Sequence, residues 1–283
     1  MFEIMWDALL DALIDGVKLL PFLFLTYLAM EWLEHRAGDK VNKHVQKAGK
    51  FGPLAGGVLG VVPQCGFSAA ASNFYAGRVI TLGTLIAIYL STSDEMLPIL
   101  ISEKVDVRII LLILLYKMGI AVTAGFLVDL FYHKKEAEHA HIHELCEHEH
   151  CECEKSILKS ALIHTLKIAI FLVVIAFGLN LALEYGGEEL LTSFLSGRAI
   201  LGPVIAGLVG LIPNCGSSVV ITKLFLEGAL GFGSMMAGLL VNAGVGLLVL
   251  FKVNHHKREN LAILGLLYGI GVVAGIVISL IAS

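Results

Sequence analysis

Two cysteines stand in matching surroundings 150 residues apart: Val62-Pro63-Gln64-Cys65-Gly66-Phe67-Ser68 is answered by Ile212-Pro213-Asn214-Cys215-Gly216-Ser217-Ser218. A thiolate is a ligand for soft and borderline ions, and Gln64, Asn214, Ser68 and Ser218 add oxygen donors beside it. If the two copies pack around a pseudo-twofold axis, Cys65 and Cys215 approach each other and together can bind a thiophilic ion or As(III). The plainer reading makes each cysteine a small filler of a tight turn, a frequent use of unpaired Cys. The twin placement beside Pro and Gly favours the ligand reading.

A harder set of donors lies between the two motifs. Ser91-Thr92-Ser93-Asp94-Glu95 sits near the middle of the apolar stretch 79–101. A charged side chain at membrane depth costs at least about 2.5–3.5 kcal/mol on insertion scales and is a functional candidate by default. Asp94 is the leading candidate as a cation ligand or proton carrier, with Glu95 second. The matching stretch Val241-Asn242-Ala243-Gly244-Val245 has no acid and contributes Asn242. The structural alternative for Asp94 is an ion pair with Lys117, near the middle of the stretch 108–131.

A third cluster lies between the copies. His133, His139, His141, His143, His148 and His150 alternate with Cys146, Cys151, Cys153 and several glutamates, nine imidazoles and thiols in 21 residues. Imidazole and thiolate suit zinc, copper and related ions. The spacing is too dense and irregular for a zinc finger, so the composition reads as a segment that collects or senses metal. A polar linker with accidental histidine richness is the bland alternative.

The elements that must position these residues are membrane helices. The chain is 57% hydrophobic with a mean hydropathy of +0.84, and only 16% of its residues are charged; soluble domains carry about 25%. Stretches of roughly 20 apolar residues, enough to cross a bilayer, fall at about 17–33, 79–101, 108–131, 160–183, 229–251 and 260–282. The stretches 54–76 and 204–226 hold the Pro-x-Cys-Gly motifs and must break there, because Pro and Gly interrupt a helix. Freed backbone groups at membrane depth must line a cavity or be buried in protein. The match between the copies extends to Pro53 and Pro203, Gly83 and Gly233, Gly119 and Gly269, and Gly125 and Gly275, all at the same offset without a gap. Corresponding helix interruptions in internal repeats point to a transport site near the bilayer midplane. The many glycines, among them Gly60, Gly210, Gly238, Gly269 and Gly275, read as close helix packing.

Charge placement chooses the topology. If each broken segment is re-entrant, the basic loops 34–52, 132–159 and 252–259 share one side, and the acidic N-terminus and the acidic loop 184–199 share the other. Lys and Arg near span ends mark the cytoplasm. Each copy then contains three full spans, an odd number, so the copies are inverted. The fold class is an all-α polytopic membrane protein of two repeats of inverted topology, each with a broken or re-entrant Pro-x-Cys-Gly helix. The organisation is a first repeat at 1–132, a cytoplasmic His/Cys/Glu-rich loop at 133–156 and a second repeat at 157–283. The N-terminus has no basic segment of the secretory-signal kind and carries Glu3, Asp7, Asp11 and Asp15.

The two Pro-x-Cys-Gly motifs, Ser-Thr-Ser-Asp-Glu-Met-Leu-Pro and the His/Cys loop together resemble a bacterial family of heavy-metal exporters. Its members are described as arsenic efflux proteins or manganese transporters, and the family is related to organoarsenical permeases. The resemblance covers nearly the whole chain and implies an inner-membrane, multi-pass exporter with ten transmembrane segments, a count reached if each broken segment contributes two short helices. The ion stays open. Paired Cys favours arsenite, a methylated arsenical or zinc, whereas Asp94, Glu95 and Asn242 favour a hard cation such as Mn²⁺. No P-loop is present, so the energy must come from an ion or proton gradient or from a partner, with Asp94 as the proton-coupling candidate. Nothing points to a cofactor or to nucleic acid. A membrane thiol oxidoreductase using Cys65 and Cys215 and a purely metal-sensing membrane protein are the alternatives; the lack of Cys-x-x-Cys argues against the first and the intramembrane Asp94 against the second.

Overall fold

The computed structural model of the protein describes residues 51–62, 65–93, 95–132 and 200–282, with scattered positions in 6–28 and 162–177; the side chains of Cys65, Cys215 and Ala282 lie outside the described set. Every element among these residues is α-helical. In the first half they are α1 (Gly52–Gly60), α2 (Cys65–Ala76), α3 (Leu82–Ser91), α4 (Met96–Ser102) and α5 (Val107–Tyr132). In the second half they are α6 (Leu201–Gly210), α7 (Cys215–Leu226), α8 (Phe232–Val241), α9 (Gly246–Val253) and α10 (Lys257–Ala282). Each helix recurs about 150 residues later, so the offset of the two sequence motifs is also an offset of structure.

Local chemistry sets the boundaries. Pro53 opens α1, where its missing N–H is not needed. Thr81 caps α3 by accepting from Thr84 N at 3.1 Å. Asp129 completes that cap: its carboxylate accepts from Gly83 N at 2.7 Å and from Thr81 Oγ1 at 2.8 Å, placing negative charge at the positive end of a helix. The turns before α3 and α8 need a left-handed residue, and Arg78 (φ 57°) and Gly228 (φ 76°) occupy equivalent positions there.

Among the described residues four helical stretches are long and apolar enough to cross a membrane: Leu82–Ser102, Val107–Tyr132, Phe232–Val253 and Lys257–Ile281. They match four of the six spans read from sequence; the other two, 17–33 and 160–183, fall largely outside the described residues. One expectation needs correction. The stretches 79–101 and 229–251 read as continuous spans, yet each is interrupted, between α3 and α4 and between α8 and α9. Thr92 (φ −52°, ψ 127°) and Gly244 (φ 54°) depart from helical geometry. Among the described residues each half therefore has two helix breaks, one at the cysteine motif and one here.

The broken stretches fill the interior. Within Phe232–Val253, 89% of the apolar window is buried, and within Leu82–Ser102, 71%. The straight helices α5 and α10 bury only 33%. Their outer faces expose Leu111, Leu115, Leu127, Val273, Val277 and Leu280, an apolar surface suited to lipid. Glycines let the layers approach. A methyl group added at Gly83 would stand 2.1 Å from Gly125 O, and one at Gly233 would stand 2.5 Å from Gly275 O. The same contact thus holds α3 to α5 and α8 to α10. Gly269 departs from the packing expectation: among the described residues nothing lies within 4 Å of a methyl group there, nor of one at its counterpart Gly119.

The halves interlock by exchange. Helix α2 packs on α9, and α7 packs on α4. A second apolar cluster, Ala69, Ile168, Val245, Val249 and Val253, with Phe24, Leu28 and Phe171 against it, surrounds the α2–α9 pair.

Candidate functional site

The four breaks converge. Gly60, the last residue of α1, lies against the end of α3: an added methyl group would meet Ser91 Oγ at 2.0 Å and Ile88 O at 2.8 Å. Gly210 repeats this against α8, 2.3 Å from Gly238 O. Gly246, the first residue of α9, abuts Ser68 in the first turn of α2, with 2.7 Å to Ser68 Cβ. The C-terminal ends of α1, α3, α6 and α8 and the N-terminal ends of α2, α4, α7 and α9 therefore share one level inside the protein. Last-turn carbonyls and first-turn amides have no partner within their own helix, so this level is rich in backbone dipoles within an apolar body.

The side chains at that level are polar and buried. Ser68, Ser72, Ser91, Ser217 and Thr222 have no exposed surface, and Thr92, Ser93, Asn214, Ser218 and Asn242 are at most 3% exposed. In the second half, Asn214 extends the chain before α7 with φ −142° and ψ 149°. Its carbonyl accepts from Ser217 Oγ at 2.8 Å. Thr222 Oγ1 donates to Ser218 O at 2.7 Å, and Ser72 Oγ reaches the equivalent Ser68 O at 2.7 Å. Asn242 closes the α8–α9 break: its Oδ1 accepts from Gly244 N at 2.8 Å, and Gly244 adopts φ 54°. That amide oxygen builds the turn.

Two networks join the halves here. Ser72 Oγ lies 2.7 Å from Tyr89 Oη and 2.7 Å from Gly246 O, and Tyr89 Oη lies 3.2 Å from Gly246 O. Two hydroxyl protons are shared among four oxygens, counting Ser68 O, and tie α2 and α3 to α9. The second network is Lys117. It is 1% exposed, and its Nζ donates to Thr92 O and, at 2.8 Å, to Leu239 O. Leu239 O is available because α8 stops at Val241 and Asn242 N turns back to Gly238 O. Its ammonium thus reaches the carbonyl ends of two half-helices from opposite halves, a seat that no local pattern announces.

Glu95 is the N-cap residue of α4 and is partly exposed, less deeply placed than the hydroxyls above. Gln64, Asp94 and the loop residues His133, His139, His141, His143, Cys146, His148, His150, Cys151 and Cys153 lie outside the described residues, as do the side chains of Cys65 and Cys215. The backbones of both cysteines open helices, α2 and α7. Among the described residues no group of three or more His, Cys, Asp or Glu is placed to hold a metal.

At one end of the molecule a polar cluster links the halves. Arg78 pairs with Glu259 at 2.7 and 2.9 Å, and Tyr75 Oη donates to the same carboxylate. The hydrogen bond to Glu259 holds the Arg78 guanidinium above its ordinary pKa. Asn254 Nδ2 reaches Glu259 Oε2 at 3.3 Å.

Comparison with curated proteins and with solved structures returns no match. The chain does match a family model, over residues 2–190 and 175–283. An all-helical body with several apolar helices is consistent with a polytopic membrane protein, and the chain belongs to the family described as "Putative, 10TM heavy-metal exporter".

Proposed function

We propose that the protein is a secondary transporter that exports a heavy-metal ion or metalloid from the cytoplasm across the inner membrane. The observation that carries the reading is the meeting of four helix breaks, with their carbonyls and buried hydroxyls, at one level of an apolar body. Broken helices at a repeat interface place helix ends where they hold ions, and irregular backbone is tolerated at membrane depth where it is buried or lines a path. Cys65, Cys215, Gln64, Asn214, Ser68 and Ser218 supply the donors of the motifs, Asp94 and Glu95 the charge, and Asn242 the shape of one break. Asp94 couples the cycle to protons.

The two copies are inverted, and each cysteine motif is a re-entrant hairpin. Support comes from neighbours at one end. Gly52, at the start of α1, abuts Thr84; the end of α2 is five residues before Thr81, at the same level. Asp129, near the end of α5, reaches Thr81, and Glu259, at the start of α10, reaches Arg78. So α1 enters and α2 returns on one side, where α5 ends and α10 begins. The basic loops 34–52, 132–159 and 252–259 all join that side, which makes it cytoplasmic. Six full spans plus two hairpins of two helices each reach the ten segments of the family description.

The oxygen-rich character of the described centre favours a hard divalent cation of the Mn²⁺ kind over arsenite. Growth of a metal-sensitive host on arsenite, methylarsenite, Mn²⁺, Zn²⁺ and Fe²⁺ tests the choice. Protection against Mn²⁺ that survives Cys65→Ser and Cys215→Ser supports it. Protection confined to arsenicals and lost in both variants overturns it in favour of a thiol site. Equal sensitivity for both kinds of ion assigns the cysteines to packing.

A further inference from the structure

Lys117 is a cation already seated where a cation belongs. Helix C-termini carry about half a negative charge each, and Lys117 Nζ bridges two of them, at Thr92 O just past α3 and at Leu239 O in the last turn of α8. The residue is 1% exposed, and the equivalent position in the second half is the fully buried, uncharged Leu267. Among the described residues, this position therefore brings a charge to the centre in the first copy and none in the second. The ammonium rides on a flexible four-carbon stem with three donors, so it can leave this seat without unfolding a helix.

Resting on the reading of a cation exporter, we propose that Lys117 is a tethered competitor: its ammonium fills the carbonyl seat between α3 and α8 when no substrate is bound, and the transported cation displaces it. Two consequences follow. The substrate-free centre never presents bare carbonyl dipoles, and the empty carrier can reset with its charge balanced. The apparent affinity for substrate is reduced by the fraction of molecules in which the seat is vacant.

The test uses the full-length protein in liposomes with Mn²⁺ as the probe and initial uptake measured against concentration. Lys117→Met removes the competitor. Lys117→Gln also removes the charge but can still donate to both carbonyls, so it preserves the tie between helices. If the seat is filled in about nine of ten empty molecules, the KM for Mn²⁺ falls about tenfold in both, while the maximal rate drops because reset is impaired. Lys117→Arg keeps the charge and keeps KM near the wild-type value. A folded Lys117→Gln protein with wild-type KM, or with a raised one, overturns the proposal and leaves Lys117 as a structural tie. A wild-type protein that moves no Mn²⁺ overturns the hard-cation reading and the inference with it, and one that moves none of Mn²⁺, Zn²⁺, arsenite and methylarsenite overturns the export reading itself, which separates the failures.

Discussion

Charge is scarce in the interior, so each ionisable side chain there needs a physical reason. Lys117 has one in the carbonyls of Thr92 and Leu239. Asp94 lies two residues beyond Thr92 in the chain, and a carboxylate in hydrocarbon costs at least about 2.5–3.5 kcal/mol on insertion scales. Asp94→Asn keeps the size and removes both charge and titration. It should lower export by about tenfold or more, a loss of about 1.4 kcal/mol in transition-state terms, while surface expression stays normal. Export at the wild-type rate in Asp94→Asn would remove the residue from the ion path. The hydroxyl pair of Ser72 and Tyr89 has a different weight. It joins α2 and α3 to Gly246 O and acts through the fit of the halves, since neither group carries charge.

The elements are half-helices whose ends meet, and glycine is what lets them meet. Gly210 faces Gly238 O at 2.3 Å from an added methyl group, and a backbone carbonyl cannot rotate away as a side chain can. Gly210→Ala should destabilise the protein by about 1–3 kcal/mol, the range of overpacked cores. Gly119→Ala meets nothing within 4 Å among the described residues and should be neutral or slightly stabilising, since Ala is the better helix former. Thermal unfolding in detergent checks both; equal losses at the two sites would mean that helix packing is not what the glycines serve. Part of this arrangement was legible in the sequence. Pro63, Pro213 and the 150-residue offset announced the first pair of breaks because Pro removes a helical hydrogen bond. The second pair was hidden. No proline marks residues 92–95 or 242–245, and the apolar stretches on either side are long enough together to imitate one span. The polar run Ser91–Glu95 and Gly244, standing at equivalent positions, are the available signal, and such polar runs announce chemistry as readily as a break. The seat of Lys117 was not legible at all, since it depends on a carbonyl 122 residues away.

At the scale of the whole molecule, the exchange of α2 and α7 between halves means that neither half has a complete interior alone. The segment joining the halves, with its histidines and three of the five cysteines, has no counterpart in either copy. We place it in the cytoplasm, where thiols stay reduced. An impermeant thiol reagent applied to intact cells should leave Cys146, Cys151 and Cys153 unlabelled and should label them after permeabilisation. Labelling from outside would reverse the orientation. Deleting 136–153 should leave efflux measurable and change only its dependence on metal concentration. The central claim is movement of a metal ion through the level where the breaks meet. Its most direct test is uptake of Mn²⁺ into everted membrane vesicles containing the protein, with a proton gradient imposed and then collapsed. Gradient-dependent accumulation in wild-type vesicles, absent from Asp94→Asn vesicles with equal protein, is the result the account predicts. Equal accumulation in vesicles with and without the protein, across Mn²⁺, Zn²⁺, arsenite and methylarsenite alike, would contradict it.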